Sequence, residues 1–239
     1  MENVRVIKVG GSSLATIEKI EDIARKLVEA KEKIVLVVSA MGNTTDKLLE
    51  LGCQVNDEGC AREFDMLLAT GEQVSATLMS MALQKLNKKA LALTGFQAQI
   101  QVEGVHQKAV IKDIEIDVVK QYLDKYDFIV VAGFQGVNKE NDFMTLGRGG
   151  SDTTAVALAA KLDCSCEIYT DVEGVFSADP RKVEGAHKLD SICYEEMLEL
   201  ALSGSGVLEP RSVELALRYS VPIYVGQLTS NISGTWIRS

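Results

Sequence analysis

The sequence predicts an α/β fold, a parallel sheet with helices on its faces, and three observations carry that expectation. Short β-branched runs recur at Val4–Val9, Ile34–Val38 and Phe128–Ala132. Segments of helical period separate them, the first from about Thr16 to Ala30 with Ile20, Ile23, Ala24 and Leu27 on one face. Runs end in polar, glycine-bearing loops: Lys8-Val-Gly-Gly-Ser-Ser13 after the first and Ser39-Ala-Met-Gly-Asn-Thr-Thr-Asp46 after the second. Strand, polar loop, helix, strand is the rhythm of such a sheet, and its ligands collect beyond the carboxyl ends of the strands. Lys8, Ser12, Ser39 and Thr45 all fall there.

The totals bound the answer. A chain of 239 residues, 46% hydrophobic and 25% charged, can bury a sizeable core as one large α/β domain or two small lobes. A formal net charge of -9 argues against nucleic acid or an anionic membrane as the main partner. No apolar run approaches the ~20 residues of a membrane span, and the N-terminus lacks the long apolar segment of a signal peptide. Five cysteines, an odd number scattered along the chain, fit reduced thiols, so a cytoplasmic protein is expected. Cys164-x-Cys166 is too tightly spaced for the usual zinc pairing and fits small buried hydrophobes on a strand; no metal held by protein ligands alone is expected.

The remaining elements follow in order. Asp46–Val55 and Ala61–Leu68 are predicted helical, and Thr70-Gly-Glu72-Gln-Val-Ser75 opens a long helix to about Leu86, with Met79 and Met81 assigned to the core. Ala90–Thr94 is a strand, Gln97–Val102 alternates like a hairpin arm, and Ile114–Tyr126 is an amphipathic helix. Gly133-Phe-Gln-Gly136 is a third glycine loop, followed by a polar turn. Cys166–Thr170 and Pro222–Val225 are strands, Tyr194–Leu202 and Pro210–Tyr219 helices, and Gly234–Ile237 an edge strand. A soft division near Asn138–Asp142 separates an N-terminal lobe, about residues 1–138, from a C-terminal lobe, about 139–239, of one domain spanning 1–239.

The densest chemistry lies in Thr145-Leu-Gly-Arg-Gly-Gly-Ser-Asp-Thr-Thr-Ala155. Three glycines within four positions let the backbone approach a ligand. Arg148 carries a fork of donors matched to a carboxylate or phosphate. Ser151-Asp152-Thr153-Thr154 reads as a capped helix start ahead of Ala155–Leu162, and a helix N-terminus favours anions. A plain strand-to-helix turn with a surface arginine explains the same residues. The dinucleotide fingerprint fails because Asp152 stands where the third glycine belongs, and no Walker A sequence occurs, so any phosphate cradle here is of another kind.

Five loops taken together, Lys8-Val-Gly-Gly-Ser-Ser, Val38-Ser-Ala-Met-Gly, Thr70-Gly-Glu, Gly147-Arg-Gly-Gly-Ser-Asp and Tyr169-Thr-Asp-Val-Glu-Gly-Val-Phe-Ser-Ala-Asp-Pro-Arg181, resemble in this order the catalytic region of aspartate kinases, within the amino acid kinase superfamily. The resemblance runs from Lys8 to about Ile223. It implies a three-layer α/β/α sandwich around a mostly parallel central sheet, with the amino acid on the N-terminal lobe and ATP on the C-terminal one. It implies Lys8 and Asp152 as the catalytic pair, with Gly10, Gly11 and Ser12 along the phosphates. Arg148 becomes the clamp on the substrate α-carboxylate and Glu72 the partner of its ammonium, with Ser39, Thr45, Phe134 and Ser151 completing that pocket. Thr170, Asp171, Phe176 and Arg181 become nucleotide contacts. ATP, Mg²⁺ held by the nucleotide, and L-aspartate are the implied ligands; a homo-oligomer is a candidate assembly, and any regulation would need a separate regulatory chain.

The chemistry asks for these residue types on its own account. A carboxylate with a pKa of about 3.9 is already ionised at neutral pH, so the nucleophile needs no base. The demand is to bring one anion onto another, through positioning and positive charge. Neither His106 nor His187 lies in one of the five loops, and both are expected at the surface. Asp152 is expected to orient Lys8 rather than to act as a base. For Lys8 a solvated strand-end lysine, for Glu72 a helix-dipole contact in a first turn, and for Asp179-Pro-Arg181 a simple turn are the competing explanations.

The sequence departs from the resembled pattern at Gly206, where lysine is usual, at Glu209, where histidine is usual, and at Phe176, where tyrosine is usual. Family members also continue into C-terminal ACT domains, whereas about a dozen residues follow Val225 here, fewer than a domain needs. The expectation is that this chain by itself is insensitive to lysine and threonine. Rival functions are another amino acid kinase, acting on glutamate, N-acetylglutamate or carbamate, and a non-catalytic nucleotide or amino-acid sensor. Glu72 with Arg148 favours a free amino acid, and Lys8 with Asp152 favours catalysis.

Overall fold

A computed structural model describes residues 4–58, 61–230 and 232–239. Cys60, one of the five cysteines expected as thiols, lies outside the described residues; Cys53, Cys164, Cys166 and Cys193 are free. The chain forms a three-layer α/β/α sandwich. Its central sheet uses β1 (Val4–Val9), β2 (Lys33–Val38), β3 (Ala90–Leu93), β6 (Phe128–Ala132), β9 (Cys166–Tyr169), β10 (Ser191–Ile192), β11 (Ile223–Gly226) and β12 (Thr235–Ile237), in the order β10-β12-β11-β9-β1-β2-β6-β3. Every pairing is parallel except β11 with β12. A smaller sheet, β5 (Val110–Ile114), β4 (Ile100–Glu103), β7 (Gln135–Val137) and β8 (Phe143–Thr145), flanks it.

The pleat sorts the strand residues into two cores. Ile7, Val9, Ile34, Leu36, Val38, Val130 and Ala132 face α1 (Ile17–Leu27) and α3 (Ala61–Lys85). Val6, Val35, Val37, Ile129, Val131, Cys166 and Ile168 face the other way. There they meet buried residues of α4 (Ile116–Leu123), α5 (Gly150–Leu162), α6 (Tyr194–Leu202) and α7 (Pro210–Tyr219). Strands buried on both faces are why these runs read as continuous apolar stretches.

Several boundaries depart from the sequence reading. Thr70-Gly71-Glu72 opens no helix: α3 runs unbroken from Ala61 to Lys85, since its inner face (Phe64, Leu68, Ala69, Glu72, Ala76, Met79) continues through Gly71. Tertiary packing there outweighs the local cost of glycine, and Glu72 sits mid-helix, away from the dipole's end. α2 (Thr44–Val55) begins earlier than Asp46. The hairpin arm is Ile100–Glu103 rather than Gln97–Val102, paired with the weakly patterned β5. Gly133–Gly136 is only half a loop, because Gln135 and Gly136 already belong to β7. Gly234–Ile237 gives an interior strand; the edge is the two-residue β10, too short to show a period. Met81 is 58% exposed while Met79 is fully buried. His187 is exposed as expected, but His106 is half-buried against Asp65.

Candidate functional site

Strand-end loops and one face of α3 enclose a cleft of about 590 Å³. Of the residues singled out in the sequence, Lys8, Gly11, Ser12, Ser39, Thr45, Glu72, Phe134, Arg148, Ser151 and Asp152 all line it. Ala40, Gly42, Leu49, Leu68, Gln107, Thr145, Gly147, Gly149 and Gly150 complete the wall. Gln107 was invisible in the sequence, since it sits in the β4–β5 turn where the pattern is weak.

Lys8 is not in a loop. It is the penultimate residue of β1, in register with Val37 and Ile168, and only 8% exposed. Its Nζ lies 2.6 Å from Oδ1 of Asp152, itself 8% exposed in the first turn of α5. The two charges touch but are out of line for a hydrogen bond, and Oδ1 has no hydrogen-bond partner among the described residues. A buried pair placed this way is poor stabilisation and open to a third party.

Glu72 is 3% exposed. Its Oε1 accepts the Ala40 N–H at 3.0 Å, and its Oε2 is buried without a partner among the described residues. Burial pushes the carboxyl pKa up to about 7, against the opposing pull of the Ala40 hydrogen bond. A buried oxygen with nothing to accept is costly, and it is the group a cationic ligand would relieve. Arg148, also on the cleft wall, is exposed, with no ion pair or hydrogen bond to the described residues. The cleft thus offers an unfilled anion and an uncommitted cation.

The turn carrying Arg148 is built by backbone. Gly149, not Ser151, takes the cap position of α5, at φ 66° with no side-chain cap, and the Gly150 N–H reaches Gly147 O at 3.1 Å. Phe134 holds φ 68° and its carbonyl accepts the Leu146 N–H at 2.9 Å. A non-glycine residue in that region beside a cleft is a mark of imposed geometry. Glu209 packs on the same turn: a Cβ at Gly149 would stand 2.0 Å from Glu209 Cγ. Gly149→Ala is therefore expected to cost about 1–3 kcal/mol of stability, from left-handed strain and the clash together. Thermal melting checks it.

A second hollow, about 760 Å³, opens beyond β9. Asp171, Phe176 and Arg181 line it with Lys182, Leu200 and the Ser203-Gly-Ser205 loop. The Arg181 guanidinium donates two hydrogen bonds to Asp179, 3.0 and 3.2 Å, which together with the Arg181 N–H lower the Asp179 carboxyl to about 2. Gly206, at φ 69°, is outside the lining. Thr170 and Gly10 line neither hollow but lie close to Lys8: the Gly10 N–H donates to Tyr169 O at 3.0 Å, and a Cβ on Gly10 would lie 3.5 Å from Lys8 Nζ and 3.7 Å from Thr170 Oγ1. β1 and β9 are paired in register, so Lys8 of the cleft stands beside Ile168, three residues before Asp171 of the hollow.

The chain is similar to known proteins along nearly its whole length. The profile of the amino acid kinase family matches residues 3–227. Aspartokinase 2 of Bacillus subtilis (strain 168) is 51% identical over 236 residues, covering 97% of this chain and 58% of its own length. The aspartokinase of Corynebacterium glutamicum is also 51% identical, over 97% of this chain and 56% of its length. The chain therefore spans little more than half of the curated relatives it matches. The crystal structure of an aspartate kinase from Synechocystis superposes with a TM-score of 0.86 at 42% identity, over 99% of this chain and 40% of that one. With the profile covering all but the two ends, and the sheet order and strand-end clefts described above, the chain belongs to the amino acid kinase family.

Proposed function

We propose that the chain transfers the γ-phosphoryl group of ATP to the side-chain carboxylate of L-aspartate, forming 4-phospho-L-aspartate, the first step towards lysine, threonine and methionine. The observation that carries this is the single cleft in which the partnerless Glu72 Oε2 and the uncommitted Arg148 stand ready for an ammonium and an α-carboxylate, beside Lys8. The aspartokinase names of relatives 51% identical over 97% of the chain support it.

Glu72 takes the ammonium, Arg148 forks onto the α-carboxylate, and Ser39, Thr45, Phe134 and Ser151 close the pocket around the side chain. The side-chain carboxylate then attacks as an anion, so no base is required. Lys8 stabilises charge on the transferring phosphoryl group, while Asp152 holds the ammonium of Lys8 in place. Gly10, Gly11 and Ser12 run along the phosphates; Thr170, Asp171, Phe176 and Arg181 serve the nucleotide, Arg181 by leaving Asp179. Mg²⁺ supplies charge neutralisation across the ATP phosphates when bound. Asp152 Oδ1 has the hard-oxygen chemistry to hold such an ion, but Lys8 Nζ stands 2.6 Å from it, so the nucleotide would be the main holder. On this reading residues 1–138 form an amino-acid lobe and 139–239 a nucleotide lobe.

No described helix is long and apolar enough to cross a membrane. Free thiols at Cys53, Cys164, Cys166 and Cys193 support a cytoplasmic setting. The exposed Met66, Val74 and Met81 on α3 support self-association, which light scattering would detect; a separate regulatory chain belongs to the same reading.

ADP release followed with aspartate, glutamate and N-acetylglutamate tests the assignment: aspartate is expected to be turned over with much the highest kcat/KM, and equal or better use of either rival would reject it. Glu72 adds a pH signature. Only the ionised carboxylate receives an ammonium, so a pKa of about 7 leaves a small fraction competent at pH 6 and most of it at pH 8. The sign is that KM for aspartate falls as pH rises through 7, by about tenfold between those limits. Glu72→Gln is expected to raise that KM and flatten the profile, with KM for ATP unmoved in both.

A further inference from the structure

One buried carboxylate is left over by this scheme. Asp65 is fully buried on α3, two helical turns before Glu72 and on the same face. It does not line the cleft. Its two oxygens are spent on groups brought from elsewhere in the chain: His106 Nδ1 at 2.6 Å, the Gln107 N–H at 3.0 and 3.1 Å, and the Thr145 hydroxyl at 2.5 Å. Gln107 and Thr145 are both cleft residues. Gln107 holds φ 66°, and its carbonyl backs onto Gly147, where a Cβ would come within 3.1 Å. Ala109 N–H closes the same junction on Thr145 O at 3.0 Å. Gly147 is the residue before Arg148, which has no side-chain partner of its own to hold it.

We propose that Asp65 is a positioning residue for the amino-acid substrate. From the face of α3 that presents Glu72, it pins the 106–109 turn and the end of β8, and through them the Gly147-Arg148 turn. One helix then fixes both ends of the ligand grip, the site for the ammonium directly and the arginine at a distance. A carboxylate is suited to this because it accepts several hydrogen bonds at once with no donor left to satisfy. Charge-assisted bonds in a dry interior also hold their geometry tightly. The inference rests on the proposed aspartate reading for its kinetic consequence, but not for its structural one.

Asp65→Asn tests it, since the amide keeps the shape but turns one acceptor into a donor facing His106 or Gln107. Hydrogen exchange should show the amides of residues 105–109 and 146–149 losing protection by about tenfold or more, with β1 and β2 unchanged. In the kinetics KM for aspartate should rise about tenfold, with kcat and KM for ATP within about twofold, because grip is lost and chemistry is not. His106→Ala, which removes one half-exposed partner, should give a smaller change of the same kind and carries the test if the asparagine variant does not fold. Protection unchanged at those loops, or lost evenly over the whole fold, would overturn the proposal, as would an equal rise in both KM values. Loops loosened in a protein whose wild type does not phosphorylate aspartate would uphold the positioning role and reject the substrate instead.

Discussion

Lys8→Ala is expected to lower kcat by about two to three decades, or ~3–4 kcal/mol of transition-state stabilisation, as for other lost donors to a developing anion. The structure adds a second consequence that a loop lysine would not have. Lys8 and Asp152 are both 8% exposed and 2.6 Å apart, so alanine leaves a buried carboxylate without its counter-charge. Breaking one side of such a pair costs about 3–5 kcal/mol. The single variant should therefore melt earlier as well as turn over slowly. Adding Asp152→Asn should return most of the lost stability and none of the lost turnover. Recovery of activity in the double variant would mean that stability, and not phosphoryl charge, is what Lys8 supplies; near-normal turnover in the single variant would remove it from the mechanism.

Arg148→Lys is the second large effect. The substitution preserves charge and removes the planar fork, so it separates bidentate recognition from simple attraction. Arg148 is exposed and makes no ion pair or hydrogen bond to the described residues, so nothing in the fold depends on it and stability should be unchanged. Losing a charge-assisted bond pair of this kind is worth about ten- to a hundredfold in KM for aspartate, with KM for ATP unmoved. Matching rises in the two KM values would place the arginine on the nucleotide and empty the proposed α-carboxylate site.

Much of this architecture was legible because the strands are buried on both faces. Val4–Val9, Lys33–Val38 and Phe128–Ala132 carry only three charged residues, Arg5, Lys8 and Lys33, and of these Lys8 alone is buried. The strand-end loops were legible for the opposite reason, since glycine beside Lys, Ser or Arg has few purely structural uses at a sheet's carboxyl edge. What escaped notice shares one cause. The mid-helix place of Glu72, the cleft role of Gln107 and the ties of Asp65 are all set by contacts distant in sequence. Asp65 and Thr145 are 80 residues apart, and no local period announces such a bond. Thr70-Gly71-Glu72 misled for the same reason. Glycine marks a boundary locally, whereas the buried face of α3 runs through it, and there Glu72 accepts the N–H of Ala40, 32 residues away.

The central claim is that the side-chain carboxylate of aspartate receives the phosphoryl group in the cleft of Lys8, Glu72 and Arg148. An acyl phosphate reacts with hydroxylamine to give a hydroxamate, so the product can be trapped as it forms and its position read by mass spectrometry. The account predicts a β-hydroxamate of aspartate that requires enzyme, ATP and aspartate together, forms in step with ADP, and falls away in Lys8→Ala. ADP release without any hydroxamate, or a hydroxamate formed as readily from glutamate, would contradict it.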